Sequence, residues 1–189
     1  MISLFEKYLL LISLPLYSLV ILTEVVMSNW QMKAFYTVKE FIMNFYMTVV
    51  NAGIDLLFRG VYLIALFFMY ELSPVETALN PITYWVLLFL LEDLAFYVEH
   101  RMDHSTRILW AVHVTHHSSP EFNLSTGFRS SVLQPLYRFI YFLPISFLGF
   151  DPVDILFMYS LTQVYGVLVH TQYINKMPRW FETFFVSPS

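Results

Sequence analysis

Long apolar runs separated by short polar segments dominate the sequence. The three strongest runs cover residues 8 to 27, 56 to 70 and 82 to 98. A helix needs about 20 predominantly apolar residues to cross the hydrocarbon core of a bilayer, so the pattern predicts three transmembrane helices. The first run is too long for the core of a signal peptide and no small-x-small cleavage site follows it. We therefore expect this helix to be retained.

Two weaker patterns accompany these spans. Residues 28 to 50 mix lysines and a glutamate with aromatic residues, which is typical of an amphipathic helix at the membrane surface. Apolar runs at 136 to 150 and 153 to 169 are separated by the turn sequence GFDPVD and predict a helical hairpin. Because the first arm is short for a full crossing, we expect it to enter one leaflet and return.

The composition supports the membrane assignment. Hydrophobic residues make up 58% of the 189-residue chain and charged residues only 13%, whereas about 25% of the residues in an ordinary soluble domain are charged. We predict an all-α integral membrane helical bundle, with membrane and interfacial helices over residues 1 to 80 and a histidine-bearing domain over 81 to 189. The net charge of −4 argues against nucleic-acid binding. The chain has no cysteine, so any metal must be bound by nitrogen and oxygen atoms.

The basic residues predict the orientation of the bundle. They lie between the first two spans, in and beside the polar stretch after the third span, and after the last apolar run: Lys33, Lys39, Arg101, Arg107, Arg129, Arg138, Lys176 and Arg179. The loops at 71 to 81 and 149 to 154 contain none, and Lys7 alone favours the opposite orientation. Because basic residues concentrate on the cytoplasmic side of membrane proteins, we expect the histidine-rich region to be cytoplasmic.

Five of the six histidines lie within 18 consecutive residues after the third span, and none precedes residue 100. The sequence HRMDH places His100 and His104 four residues apart, and HVTHH places His113 and His117 at the same spacing, with His116 between them. Side chains at i and i+4 lie on one face of a helix, so each pair can direct two imidazoles at one ion. Imidazole suits iron, zinc, copper and nickel. Five imidazoles are enough for two adjacent metal ions.

Other interpretations of the histidines stay open at this point. An isolated histidine near a membrane surface, such as His170, is usually a polar interface residue. A cluster could sense pH, because imidazole titrates near neutrality, or bind metal loosely. A membrane metal transporter would also use histidine pairs, but it should line a path through the bilayer with polar groups. Two histidine motifs at one end of an apolar helix favour a specific metal site.

Asp93 is an ionisable residue within the third apolar run and is therefore a functional candidate. With His100 and His104 it forms one helical stripe, whereas Asp103 should point elsewhere and Glu92 lies off the stripe. A carboxylate below His100 could accept a hydrogen bond from the second ring nitrogen and fix the orientation of the ligand. The alternative is that Asp93 pairs with a basic residue or with water in the bundle.

The motifs HRMDH and HVTHHSS, on a hydrophobic helical framework, resemble those of the sterol desaturase and fatty acid hydroxylase superfamily. The segments HHSSPEFNLSTGFRSSVLQ (116 to 134) and VHTQYINKMPRWFETFFVSPS (169 to 189) are similar to its alkylglycerol monooxygenase branch. The resemblance covers about residues 84 to 189. It implies an integral membrane enzyme, in a bacterial inner membrane or the endoplasmic reticulum, with a histidine-ligated di-iron centre on the cytosolic face.

The resemblance also implies site residues and partners. Six histidines are expected iron ligands, five from the two motifs and one that matches a lone histidine before the family's final motif: His100, His104, His113, His116, His117 and His170. Asp93 matches an acidic position common in the family. The implied activity is lipid hydroxylation or monooxygenation with dioxygen and an external electron donor. In the alkylglycerol branch the reductant is a tetrahydropterin and the substrate an ether lipid; sterol or fatty acyl hydroxylation or desaturation is the alternative.

The family pattern includes a third histidine motif, HxxHH, directly after a stretch similar to VSPS, and the given sequence ends there at Ser189. The resemblance thus predicts a fragment or a truncated paralogue of the complete protein. Half of one metal's ligands would then lie outside the 189 residues, and we expect these residues alone to bind metal poorly. A truncated, catalytically inactive paralogue that modulates a full-length partner is the non-enzymatic alternative.

Overall fold

The computed structural model describes residues 4–75 and 77–188, and every regular element within these ranges is helical. The α-helices in these ranges are α1 (Leu4–Trp30), α2 (Val38–Glu71), α3 (Pro81–Ser105), α4 (Arg107–His113), α5 (Pro135–Arg138), α6 (Leu143–Phe147), α7 (Pro152–Leu168) and α8 (Arg179–Phe184). Short 3₁₀ turns lie at His116–Ser118, Thr126–Phe128 and Phe139–Phe142. The predicted all-α architecture is confirmed.

The first three helices have the length and composition of membrane spans. The mean hydropathy of the most apolar window is 1.8 in the part of α1 from Leu11 to Trp30, 1.8 in α2 and 1.5 in α3. Large apolar side chains on these helices are exposed, such as Leu57 at 75% and Ile64 at 73%. Extensive exposed apolar surface is expected for helices that contact lipid. The chain is therefore an integral membrane helical bundle, as predicted.

The prediction of a separate surface helix over residues 28 to 50 is wrong. Residues 28–30 end α1, and α2 then runs without interruption over 34 residues. Thr37 caps the start of α2 by accepting a hydrogen bond from Glu40 N, and no proline interrupts the helix. At 1.5 Å per residue α2 is about 51 Å long, whereas the hydrocarbon core is about 30 Å thick. The helix is therefore longer than the hydrocarbon core is thick, and its first half contacts residues 125–128, which follow the second histidine motif.

The predicted hairpin is present, but its first arm is broken. Residues 135–147 form α5, a 3₁₀ turn and α6, whereas α7 is a continuous helix of 17 residues. Gly149 turns the chain with a φ of +87°, a conformation that glycine adopts without steric cost. Asp151 then caps α7 by accepting a hydrogen bond of 2.7 Å from Val153 N. The depth to which the first arm enters the bilayer stays a prediction.

The apolar core lies between α2, α3, α6 and α7. It includes Leu66, Leu88, Phe142, Ile145 and Ile155, each less than 5% exposed. Two hydrogen bonds join α3 to α7, from Tyr84 to Asp154 at 2.8 Å and from Thr162 to Glu92 at 2.9 Å. The earlier residue of α3 pairs with the earlier residue of α7, and the later with the later. The two helices therefore run in the same direction, and their C-terminal ends lie at the same end of the bundle.

The N-terminal helices contact the histidine-bearing part of the chain directly. α1 packs against α7, and α2 packs against α5, α6 and α7. The helices before residue 80 therefore form part of one bundle with those that follow. The division into domains at residue 80 stays a prediction.

Candidate metal centre

The first histidine pair lies at the end of α3. His100 and His104 occupy its last two turns, four residues apart on one face. Thr106 then adopts an extended conformation, with φ −106° and ψ 122°, and α4 packs back against α3. His113, the last residue of α4, thereby returns to the first pair. Its ring centroid lies 4.8 Å from that of His100 and 5.0 Å from that of His104.

Four histidines converge on one point, which we call the four-histidine group. One ring nitrogen of each lies within 4.8 Å of the others, and the members are His100, His104, His113 and His117. His117 Nε2 is 3.1 Å from His104 Nε2 and 3.2 Å from His113 Nε2. Two imidazole nitrogens bound to one metal at about 2.0–2.1 Å are about 3.0–3.4 Å apart, depending on the coordination angle. These two distances therefore fit the binding of one cation by His104, His113 and His117, with His100 close by.

His116 and His170 form a second, adjacent pair. Their ring centroids are 5.4 Å apart, and His116 lies 5.5 Å from His113. Nδ1 of His116 is 2.8 Å from the carbonyl oxygen of Arg129, and Nδ1 of His170 is 2.6 Å from that of Gly166. A carbonyl oxygen can only accept, so each Nδ1 carries the proton and each Nε2 keeps its lone pair. The structure thus brings all six predicted histidines together, as a group of four beside a pair.

Desolvation favours the uncharged form of three histidines outside the membrane spans: His116, His117 and His170. Desolvation lowers the pKa of His116 to about 4, despite the opposing effect of its hydrogen bond to the Arg129 carbonyl. Desolvation also lowers the pKa of His170, and it lowers the pKa of His117 together with the neighbouring histidines. Neutral imidazole is the form that binds a metal. At neutral pH these rings can therefore bind a cation without first losing a proton.

A buried carboxylate, that of Asp103, contacts one of the histidines. It is fully buried, and its Oδ2 lies 3.2 Å from Nδ1 of His113, within ion-pair range although the angle falls short of a hydrogen bond. Tyr137 and Gln134 donate hydrogen bonds of 2.8 and 2.9 Å to the same carboxylate. As expected, Asp103 is not among the side chains of the four-histidine group, but it contacts the His113 ring at Nδ1. Asp93 is exposed, and among the described residues no contact joins it to a histidine, so its supporting role stays a prediction.

The buried carboxylates of α3 lie on a neighbouring helical stripe. Glu92, Glu99 and Asp103 are 0%, 1% and 0% exposed and follow one another at spacings of seven and four residues. Gln134 links Glu99 to Asp103 by donating to both carboxylates, at 3.0 and 2.9 Å. Each of these carboxylates precedes by one residue a member of the stripe formed by Asp93, His100 and His104. Because one residue of an α-helix corresponds to a rotation of about 100°, the two stripes lie on neighbouring faces of α3. Three acidic residues on one face of an apolar span were the signal that could have identified it.

Aromatic rings surround the histidines. Trp110 lies 5.2 Å from His104 and 5.8 Å from His117, measured between ring centroids. Phe122 lies 5.4 Å from His170. These rings cover part of the site, but His104 and His117 stay exposed.

Comparison with known proteins agrees with this arrangement. The family model for fatty acid hydroxylase matches residues 85–189, more than half of the chain and the part that contains all six histidines. The chain belongs to the fatty acid hydroxylase family. The predicted superfamily is therefore confirmed.

Among the relatives of this fatty acid hydroxylase family member are alkylglycerol monooxygenases. The chain is 32% identical to that of Xenopus tropicalis and 33% identical to that of Homo sapiens, each over 139 residues, and 31% identical to that of Danio rerio over 140 residues. These alignments cover 69–71% of the chain, which supports the predicted branch. They cover only 30–31% of each relative, so the chain spans about a third of their length. No solved structure matches the chain.

Proposed function

We propose that this chain carries the iron site of a membrane-embedded, oxygen-dependent lipid hydroxylase or monooxygenase. The observation that supports it most directly is the convergence of four imidazoles at the end of an apolar membrane helix. An unactivated C–H bond offers no acidic proton and no electrophilic carbon to a side chain, so its oxidation requires a cofactor. Membership of the fatty acid hydroxylase family supports the reaction class.

The donor set suits two iron ions. The four-histidine group would hold one ion, and the free Nε2 atoms of His116 and His170 would contribute to a second. Imidazole is a common ligand of iron, and the chain contains no thiolate that would favour another metal. Bound iron would supply the activation of dioxygen that attack on a C–H bond requires.

The residues around the histidines would fix the rings before substrate arrives. Asp103 lies against Nδ1 of His113, and the carbonyl oxygens of Arg129 and Gly166 accept hydrogen bonds from the Nδ1 atoms of the adjacent pair. Such partners determine which ring nitrogen is available to a metal and hold the ring in place. Each of these histidines would therefore bind through Nε2.

We propose an ether lipid as the substrate, because the relatives are named for their action on alkylglycerols. Since the family is named for fatty acids, fatty acyl or sterol hydroxylation or desaturation is the alternative. The histidines follow the apolar part of α3, so a lipid could approach them with its chain still in the bilayer. A tetrahydropterin or another external donor would provide electrons. We further propose that the site faces the cytoplasm, in a bacterial inner membrane or the endoplasmic reticulum.

Metal titration and turnover test this proposal together. The chain, purified in detergent, would be titrated with Fe²⁺, and with Co²⁺ as a spectroscopic substitute, and assayed with dioxygen, a tetrahydropterin and three substrates: an alkylglycerol, a fatty acid and a sterol. Because the four-histidine group lies within these 189 residues, we expect weak binding of one metal ion, which His117→Ala abolishes. The control Arg101→Ala changes an exposed residue beside His100 and should preserve binding. Binding of neither metal by the wild-type chain would refute the proposal. Metal binding without turnover would support the fragment or the inactive paralogue predicted from the sequence.

A further inference from the structure

The first half of α2 carries a polar ladder, which we define as Glu40, Asn44, Thr48 and Asn51. These residues follow one another at spacings of four, four and three, so they lie on one face of the helix. Other faces are apolar and exposed, as shown by Phe45 at 64%. A polar stripe on such a helix can face water or another part of the protein.

The polar ladder contacts the segment that follows the second histidine motif. Asn44, at the centre of the ladder, is only 1% exposed. Three hydrogen bonds from the ladder reach this segment: Asn44 Nδ2 to Ser125 Oγ at 3.0 Å, Thr48 Oγ1 to Phe128 O at 2.9 Å, and Asn51 Nδ2 to Ser131 O at 2.5 Å. The ladder therefore joins α2, which precedes the matched family region, to residues inside that region.

Arg129 lies at the centre of this contact and is 8% exposed. Its guanidinium group donates four hydrogen bonds, to Glu40 Oε2 at 2.9 Å, Asn44 Oδ1 at 3.1 Å, Thr115 O at 3.1 Å and Ser118 Oγ at 2.8 Å. Two of these acceptors belong to α2, and the other two flank the last two histidines of the second motif. Because the guanidinium is planar and its donors have fixed directions, it holds the histidine segment at a set distance from α2.

The backbone of Arg129 completes the link to a histidine. Its carbonyl oxygen accepts the hydrogen bond from Nδ1 of His116 at 2.8 Å. We propose that Arg129, held by Glu40 and Asn44, is a positioning residue that fixes the ring of His116 with Nε2 free to bind metal. The consequence for metal binding rests on the proposed function. The prediction for the tautomer of His116 is independent of the proposed function, because the tautomer can be measured in the metal-free chain.

The first experiment measures the tautomer of His116. In the metal-free chain labelled with ¹⁵N-histidine and held in detergent micelles, NMR should show His116 protonated at Nδ1. Arg129→Gln removes the guanidinium group, and the His116 signals should move toward the tautomer mixture of free imidazole. The matched control is Arg59→Gln, which breaks the 3.0 Å ion pair between Arg59 and Asp55 on the same helix but lies outside the polar ladder. It should leave the His116 signals unchanged.

The second experiment measures Co²⁺ affinity. Loss of a group that orients a metal ligand typically weakens binding about 10- to 100-fold, so we expect a decrease of this size in Arg129→Gln and none in Arg59→Gln. If wild type binds no Co²⁺, the proposed function fails, and the tautomer measurement still decides the positioning role. Should Arg129→Gln fail to fold, the milder Glu40→Gln must shift the His116 signals in the same direction. An unchanged tautomer and unchanged affinity would overturn the proposal.

Discussion

Replacement of Asp103 by asparagine tests whether a buried carboxylate supports the candidate metal ligands. Asp103 is completely buried, accepts hydrogen bonds from Tyr137 and Gln134, and lies 3.2 Å from Nδ1 of His113. Asparagine has almost the same shape, but it is neutral and presents an NH₂ group in place of one acceptor. The substitution therefore removes the negative charge beside His113 with little change in packing.

The expected effect on metal binding is substantial. Removal of a group that orients a histidine ligand lowers metal affinity about 10- to 100-fold, which corresponds to about 1.4–2.8 kcal/mol. Folding stability should also fall, by about 1.5–3 kcal/mol, because hydrogen bonds to a charged acceptor contribute roughly that much. The effect on binding should be larger for the four-histidine group, to which His113 belongs, than for the pair of His116 and His170.

Asp93→Asn is the matched control, because it makes the same chemical change at an exposed position on the same helix. Co²⁺ affinity would be measured by competition with a chelator in detergent, and stability by thermal unfolding followed by circular dichroism. We expect Asp93→Asn to resemble wild type in both measurements. Weaker Co²⁺ binding in Asp93→Asn, with normal binding in Asp103→Asn, would refute this reasoning and support the role predicted for Asp93.

Three further predictions concern local geometry and orientation. In Gly127→Ala the new Cβ would lie 3.0 Å from the backbone Cα of Val167 and 3.2 Å from Cβ of His170. We expect about 1–3 kcal/mol of destabilisation from overpacking, measured by thermal unfolding, and weaker Co²⁺ binding by the adjacent pair, measured by titration. Gly149→Ala places a Cβ 2.6 Å from a backbone oxygen of the α2–α3 loop, at a residue whose φ is +87°. We expect thermal unfolding to show a loss of stability of about 1–3 kcal/mol or more. The control Gly53→Ala, with open space around its Cβ, should not destabilise the chain. Because the chain has no cysteine, Ser105→Cys provides a single site for a thiol reagent. If the site is cytoplasmic, a reagent that cannot cross membranes should modify this cysteine only after the cells are permeabilised. Labelling of intact cells would contradict the cytoplasmic orientation.

Local spacing was enough to predict the membrane helices and the histidine pairs. A helix of about 20 apolar residues is stable in hydrocarbon whatever its neighbours are, so the lengths of the apolar runs identified α1 and α3. The i, i+4 spacing likewise placed His100 and His104 on one face, because the helical period fixes the angle between residues of one helix. The resemblance of the two histidine motifs was sufficient to identify the family, since those motifs are short and continuous in the chain.

Packing between distant segments decided the rest. The polar face of α2 matched the pattern of a surface helix, but Arg129, 89 residues after Glu40, makes it a protein contact. Asp103 rather than Asp93 faces the histidines because the period of a helix does not specify how the helix is rotated about its own axis. That rotation depends on which side chains of other helices fill the space around it. For the same reason His170 reaches His116 only because α7 packs parallel to α3 and ends at the same end of the bundle.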